Sequence, residues 1–572
     1  MAAAAFTWIL AAGGARLRTL ARLPLGSDLK APVDFLVGAW VFATAAFLAG
    51  WAGWFRAPVL FVFLGILAAV GEWRRPGWRF RTLLPTAMSA AILLPIAIAP
   101  PFFYDALVYH LALPWQALQE GRLAAHSEDF FSAFPPLAQM LFAAPIAAGL
   151  LRVPALVQMA SFILAGGATT ALALRLGAPR FAALCAGALL PLLPAVVLVA
   201  GLPAAEGFAI GAAIAALALC LGPESRRAPI ASAGLAGLIT GIGTAARLQG
   251  LPWSLIVLAL VTLGPAPRLR RAAGAALGWA AGSLPWWLKN LLLLRDPFAP
   301  IGWRRPGIET LWRDSGGQIY LAAGPADALR ALGATLKPHT AYALPLLLAA
   351  LLAMSGERPR RRVLAGLAAG AGLVAWAATG SLPRFLAPTL AVLLALAAAA
   401  ARAGVGRWAG GLALGAAGVL GLVFTLRMLQ AVGWWTLALC AGLADLPPLV
   451  VNTPLPAFAA AEALPADARV LFVGEARGFA FPRRAVVPSQ HDVSPLRDPI
   501  ETLATAAAAR DRLVADGFTH LLVNRAELLR LSRDYPVLPW STGAGQARFQ
   551  ALLVQCGVPV VKVGETAIFA LR

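Results

Sequence analysis

The sequence predicts a mainly α protein: a polytopic bundle of transmembrane helices with a small α/β domain at its C-terminal end. Three observations predict it. The 572-residue chain is 60% hydrophobic and only 13% charged, with a mean hydropathy of +0.76, too few charges to cover a soluble surface of this size. Apolar runs of about 17–22 residues recur from Asp34 to about Met428, long enough to cross a ~30 Å hydrocarbon layer as helices. Beyond about Leu429 the pattern changes to short strand-like runs separated by polar residues.

Residues 1–33 come first. "AAAAFTWILAA" is short and runs into Arg16, Arg18 and Arg22, so it reads as a retained cytoplasmic or interfacial helix rather than a signal peptide. The net charge of +21 does not point to nucleic acid, because many of the arginines lie in short loops between apolar runs, the positive-inside pattern; others could meet anionic lipid. Cys185, Cys220, Cys440 and Cys556 have no metal-ligand spacing, and no structural disulfide is expected.

Charge sets the orientation. Asp34–Phe55 and Ala57–Glu72 form a helical pair that ends in the basic "WRRPGWRFR", placed inside. Leu83–Pro100 then runs outward, so Asp105 emerges on the non-cytoplasmic face. Residues 101–152 form an outer loop, with "DALVYHLALPWQALQEGRL" along the interface and Leu137–Leu150 interfacial or half-inserted. Val153–Leu174, Phe181–Ala200, Phe208–Leu221, Ile230–Arg247, Gly250–Leu263 and Ala272–Lys289 alternate inward and outward. A second outer loop spans 290–337. Ala341–Met354 returns to "ERPRRR", and Val363–Gly380, Phe385–Ala401 and Gly410–Leu426 complete about thirteen spans. This parity requires that Leu137–Leu150 does not cross; otherwise "ERPRRR" and "PAPRLRR" fall outside, against the charge rule. The expected organisation is thus 34–428 in the membrane, 429–450 interfacial and 451–572 a soluble α/β domain on the outer side of an inner or plasma membrane, the N-terminus being cytoplasmic. Within the last domain "RVLFVGEARGF" and "FTHLLVN" read as buried strands, "DPIETLATAAAARDRLVADG" as one helix stopped by Gly517, and "VPVVKVGETAIFALR" as a hairpin around Gly564.

The parity count brings acids and bases from separate segments to the outer face: Asp105, Tyr109 and His110; Glu128 and Asp129; Glu206; Arg247; Lys289 and Asn290; Arg384. Ionisable groups at membrane depth are costly and mark a site, although each taken alone also suits a helix end at the headgroups. Lys289 and Lys337 are two of only four lysines against 43 arginines. Tyr109, at i+4 from Asp105, shares its helix face and would brace the carboxylate or stack on a sugar; His110 would be an interfacial anchor. Such a set suits transfer from a lipid-phosphate donor, whose leaving group needs cations and whose acceptor hydroxyl needs a base within hydrogen-bonding reach.

"YDALVYHLALPWQALQEGRL" followed by "FSAFPPLAQML" resembles the first outer loop of bacterial GT-C-type glycosyltransferases, relatives of the protein O-mannosyltransferases and the lipid A aminoarabinose transferase. "GIGTAARLQGLPW", "LPWWLKNLLLLRDPFAPIGW" and "GSLPRFLAPTLAVLLAL" resemble the same family in register, and the tail resembles the soluble domain of one bacterial branch. The resemblance implies a GT-C-like fold, a polyprenyl-phosphate-linked monosaccharide donor, and a lipid, glycan or protein acceptor. It implies that Asp105 is the general base or orients the acceptor hydroxyl, that Arg247, Lys289 and Arg384 serve the donor phosphate, and that Asn290, in the same turn as Lys289, belongs to the substrate site. Gln139 stands where relatives often carry Glu, and Ser127–Asp129 replaces a D-x-D motif. These departures weaken a metal-dependent reading; a divalent ion on His126, Glu128 and Asp129 stays open but is less favoured than solvated loop charges. The rival reading is a transporter or flippase of lipid-linked saccharides, which would favour paired halves and midplane sites; no internal repeat is visible. A receptor or scaffold would leave the acid–base set unexplained.

Overall fold

Each apolar run assigned to the membrane is mostly helical in the computed structural model, which describes residues 1–23, 25–73, 78–123, 129–264, 267–300, 340–354, 359–379, 382–402, 404–434, 437–438, 453–535 and 537–571. The helices are α1 (Ala2–Leu20), α2 (Lys30–Trp51), α3 (Ala57–Val70), α4 (Phe80–Ala91), α5 (Ala112–Glu120), α6 (Leu137–Ala147), α7 (Val153–Arg175), α8 (Arg180–Leu189), α9 (Glu206–Leu221) and α10 (Pro229–Ala246). They continue with α11 (Gly250–Thr262), α12 (Arg268–Leu294), α13 (Thr340–Met354), α14 (Pro359–Thr379), α15 (Ala387–Ala400) and α16 (Gly404–Met428). Among the described residues, five segments are long and apolar enough to cross a membrane unbroken: Lys30–Trp51, Val153–Arg175, Pro229–Ala246, Pro383–Ala400 and Gly404–Gly433. The other apolar helices are shorter, or are interrupted where proline removes a backbone donor. The run predicted over Leu83–Pro100 breaks after α4 and resumes at Leu94–Ala97, with Pro95 in its first turn. That over Phe181–Ala200 breaks at a 3₁₀ turn, Leu190–Leu192, that contains Pro191.

Two segments are more deeply packed than an interfacial placement implies. Helix α1 lies against α2, with Leu10, Ala12 and Ala15 fully buried. Arg18 Nε meets Asp34 Oδ1 at 2.7 Å, and Trp78 Nε1 donates to the other Asp34 oxygen at 2.8 Å. Helix α6 has 11 residues, about 16 Å of rise and too short to span. It is buried from Leu137 to Ile146 and packs on α2, α5 and α7. Of the interfacial segment 429–450, the described part is Leu429–Gly433 in a π-helical turn, Trp434 exposed after it, and the helical residues 437–438; Trp435, Thr436 and 439–450 lie outside the described residues.

Helices α10 and α12 pack through glycines. A Cβ on Gly237 would stand 2.0 Å from the Ala275 carbonyl oxygen, and one on Gly278 2.1 Å from that of Gly234, so the two backbones are in direct contact as in small-xxx-small membrane pairs. Leucines of α13 and α16 such as Leu348 and Leu412 are exposed, as a lipid-facing side requires.

The C-terminal domain is a five-stranded sheet in the order β2-β1-β3-β5-β4. Strands β1 (Arg469–Val473), β2 (Arg484–Val486) and β3 (His520–Asn524) are parallel; β4 (Gly557–Val563) and β5 (Thr566–Leu571) form the antiparallel hairpin expected around Gly564. The single helix expected over 498–517 is two, α17 (Arg497–Thr502) and α18 (Ala506–Ala515). Thr505 interrupts it as an N-cap, its side chain accepting from Ala508 N, which satisfies a donor that the new helix would otherwise leave open. Gly517 stops α18 at φ +85° as expected. Helices α19 (Arg525–Leu531) and α20 (Gly543–Ala551) follow, and a short helix, Leu455–Ala460, precedes β1.

Candidate active site

Four charged side chains meet at one end of the bundle, each placed there by a helix terminus. Asp105 immediately precedes the π-helical turn Ala106–His110. Glu206 opens α9, where the positive end of the helix dipole favours a carboxylate. Arg247 closes α10 in an extended conformation. The α10–α11 corner is tight because Gly250 sits on Gly243: a Cβ there would lie 2.4 Å from the Gly243 carbonyl carbon. Arg384 lies in the 3₁₀ turn Pro383–Leu386 just before α15.

The charges form a chain. Arg384 Nη2 donates to Asp105 Oδ2 at 2.8 Å, and Arg384 Nε lies 3.5 Å from Glu206 Oε1. The same Glu206 oxygen lies 3.0 Å from Arg247 Nη1. Both guanidinium carbons face the Phe385 ring, at 4.9 Å for Arg247 and 5.5 Å for Arg384, a cation–π contact that restrains them. Side-chain exposure rises from 3% at Glu206 and 12% at Arg247 to 20% at Arg384 and 23% at Asp105, so Glu206 is the anchor and Asp105 the reachable end. Tyr109 donates its hydroxyl to Asp105 Oδ2 at 3.3 Å and stacks on Phe131 at 4.4 Å; its contacts are those of a brace. His110 is not an interfacial anchor. It is 2% exposed, and neither ring nitrogen has a partner among the described residues. Burial first, and then Arg247 and Arg384, hold its imidazole well below the ordinary value, so the ring is neutral.

Lys289 and Asn290 belong to a neighbouring layer. Lys289 Nζ donates to the Ser132 carbonyl. Asn290 Nδ2 donates to the carbonyls of Ala133 at 2.9 Å and Ala299 at 2.6 Å, and Trp286 Nε1 reaches Ala133 O at 3.3 Å. These partners make α12 a clamp on the turn at Ser132–Ala133. Gln139 is buried, and in the orientation that hydrogen bonding favours its amide nitrogen lies 3.2 Å from the carbonyls of Pro135 and Pro136. A glutamate there would face two carbonyl oxygens. Of the loop residues considered for a cation, Asp129 accepts from Phe131 N at 2.9 Å; His126 and Glu128, like Lys337, lie outside the described residues.

Sequence reasoning did not place the C-terminal domain against this loop. Phe479 N donates to Leu107 O at 3.1 Å. Trp115 Nε1 and Gln119 Nε2 both donate to Phe481 O, at 2.9 and 2.8 Å. Asp492 accepts from Phe130 N with both oxygens at 3.0 Å. Arg477 and Arg530 lie 5.7 and 5.5 Å from the Tyr104 ring, next to Asp105. Arg477 is held by Glu475 at 2.7 Å and Arg530 by Glu527 at 2.6 Å. The available signal was the set of acids and arginines in "GEARGF" and "NRAELLR", which have no reason to sit at strand ends unless something covers them.

This docking has an expected pH dependence. His491 packs on Phe130 and Phe131, and burial lowers its pKa to about 4 against a weaker opposing effect of Asp105. A histidine lowered in the folded state contributes fully above its unfolded value near 6.5, and that contribution is lost as pH falls toward about 4. The thermal midpoint should therefore drop between pH 6.5 and 4. His491→Phe should reduce the slope without abolishing it, since His110 and His520 shift in the same direction. An unchanged slope in that variant would separate His491 from the effect.

No family model matches the chain, and no curated protein matches it significantly in sequence. In structure it matches ArnT from Cupriavidus metallidurans bound to undecaprenyl phosphate, with a TM-score of 0.51 at 16% identity over 86% of this chain and 98% of that one. The chain has an ArnT-like fold. The apo form of the same ArnT (TM-score 0.49, 16% identity, 86% and 98% covered) and the apo oligosaccharyltransferase of Archaeoglobus fulgidus (0.45, 12%, 79% and 70%) match at lower scores. The share of this chain matched to ArnT exceeds its transmembrane part, so the ArnT-like region runs into the C-terminal domain.

Proposed function

We propose that the protein is an integral-membrane glycosyltransferase that moves a monosaccharide from a polyprenyl-phosphate donor to an acceptor hydroxyl on the extracytoplasmic face. The observation that carries this is the Asp105–Arg384–Glu206–Arg247 chain, two carboxylates and two guanidiniums in contact at one end of an ArnT-like fold. That an ArnT binds undecaprenyl phosphate supports the choice of donor.

The acceptor oxygen attacks the anomeric carbon, the bond from that carbon to the phosphate oxygen breaks, and the electron pair leaves with the phosphate. The acceptor proton passes to Asp105. Negative charge thus moves from Asp105 to the departing phosphate while the site total stays constant. Arg384 touches the first of these groups and would follow the charge to the second, a stabilisation aimed at the transition state rather than the ground state. Arg247 is the second phosphate ligand. Glu206 keeps two cations side by side, and Tyr109 braces Asp105. Lys289 and Asn290 we assign to holding the loop that bears Asp105, because their partners are loop carbonyls.

Binding of undecaprenyl phosphate to purified protein tests the donor assignment. Arg384→Ala and Arg247→Ala should each weaken it roughly tenfold to hundredfold, the range of a hydrogen bond to a charged group. Unchanged affinity in both variants would refute the phosphate site.

A further inference from the structure

One buried polar side chain in the Asp105 cluster takes no part in the mechanism above. His110 is 2% exposed, and neither Nδ1 nor Nε2 has a hydrogen-bond partner among the described residues. Burial, with Arg247 and Arg384 nearby, keeps the ring neutral, so one nitrogen has a proton to donate and the other a lone pair to accept. Buried donors and acceptors are rarely left open, because each then bears its full desolvation cost. Elsewhere in the cluster the fold supplies the partner itself: Tyr109 finds Asp105 at 3.3 Å, and Glu206 finds Arg247 at 3.0 Å.

The backbone sets this ring beside the reacting groups. Asp105 precedes the π-helical turn Ala106–His110, closed by Leu111 N donating to Ala106 O at 2.9 Å. In an α-helix of 3.6 residues per turn, the fifth residue after Asp105 would face about 140° away from it. The wider i→i+5 turn reduces that angle and sets His110 next to Tyr109, their rings 4.2 Å apart. Tyr109 and Arg384 in turn meet at one oxygen, Asp105 Oδ2. On the proposed reading the acceptor oxygen lies at Asp105, and the donor phosphate at Arg247 and Arg384. The anomeric carbon and its sugar ring must then lie between them, beside His110.

We propose that His110 binds the transferred sugar: its imidazole hydrogen-bonds a hydroxyl of the donor monosaccharide, and so selects the donor by its sugar rather than by its lipid or phosphate. The inference rests on the glycosyltransferase reading and adds a specificity-determining residue to that site. A phosphate oxygen only accepts, so it can meet the N–H and never the other nitrogen. A hydroxyl donates and accepts, and can meet either nitrogen in either tautomer. The phosphate already has its donors in Arg247 and Arg384. Recognition by a buried nitrogen also discriminates, since a sugar lacking the hydroxyl leaves that nitrogen unpaired.

The test compares binding of bare undecaprenyl phosphate with that of undecaprenyl phosphate carrying mannose, glucose, galactose or arabinose, on the full-length purified protein. The wild type should hold at least one sugar-linked lipid about fivefold to tenfold tighter than the bare one, the worth of one or two hydrogen bonds. His110→Phe keeps a planar ring against Tyr109, removes both nitrogens and strands no protein partner, so the variant should fold. Its preference for the sugar-linked lipid should fall below about twofold, with bare undecaprenyl phosphate bound as in the wild type. His110→Gln, which restores a donor and an acceptor, should keep a preference of about threefold or more. A full preference in His110→Phe would overturn the inference. So would an equal loss of affinity for the bare and sugar-linked lipids, which would assign the ring to the phosphate or to the fold. Wild-type protein that binds the bare lipid but prefers none of the sugar forms would overturn the inference and leave the phosphate site standing. Failure to bind even the bare lipid would overturn the glycosyltransferase reading, and the inference with it.

Discussion

Asp105→Asn is expected to lower the transfer rate by about 10²–10⁴-fold, the usual contribution of a positioned general base, while the protein still folds and still binds undecaprenyl phosphate. The substitution keeps the shape of the side chain but removes its ability to take the acceptor proton. It also removes the carboxylate that holds Arg384 Nη2 at 2.8 Å, leaving that guanidinium freer for phosphate. Donor affinity should therefore be retained or tightened while the turnover rate collapses, a split that a merely structural role for Asp105 would not produce. Wild-type turnover in the variant would remove Asp105 from the chemistry.

Glu206→Ala should have the largest effect on stability. Glu206 is buried with one oxygen between Arg247 and Arg384, at 3.0 and 3.5 Å. Truncating it leaves two cations facing each other in a poorly solvated site, and losing one partner of a buried charge pair costs about 3–5 kcal/mol. Thermal unfolding of the purified protein measures this. On the proposed reading the donor phosphate is an anion at the same place, so undecaprenyl phosphate should raise the melting temperature of the variant more than that of the wild type. A variant as stable as the wild type would show that the three charges do not depend on one another.

Much of this site was legible because membrane spans constrain parity. Once Leu83–Pro100 runs outward, Asp105, Glu206, Arg247 and Arg384 all fall at helix ends on one side, and the fold brings those four into contact. Parity says nothing about rotation or depth. Lys289 and Asn290 sit at the correct end of α12, but their contacts are with the Ser132–Ala133 carbonyls. His110 read as a headgroup anchor because local sequence cannot show that α10 and α15 bring arginines up to it. The contacts of Asp492, His491 and Arg477 with the loop join residues hundreds of positions apart, beyond the reach of any local pattern. The split between α17 and α18 was missed for a local reason: an alanine-rich run reads as continuous helix, and Thr505 is a weak helix former whose preference for the N-cap decides the break.

Locating the donor phosphate in a cryo-EM map of the protein in nanodiscs with undecaprenyl phosphate tests the central claim most directly. The account expects phosphate density within hydrogen-bonding distance of both Arg247 and Arg384, with Asp105 beside it and free to face an acceptor. Phosphate density elsewhere, with the Asp105–Arg384 pair still closed, would contradict it.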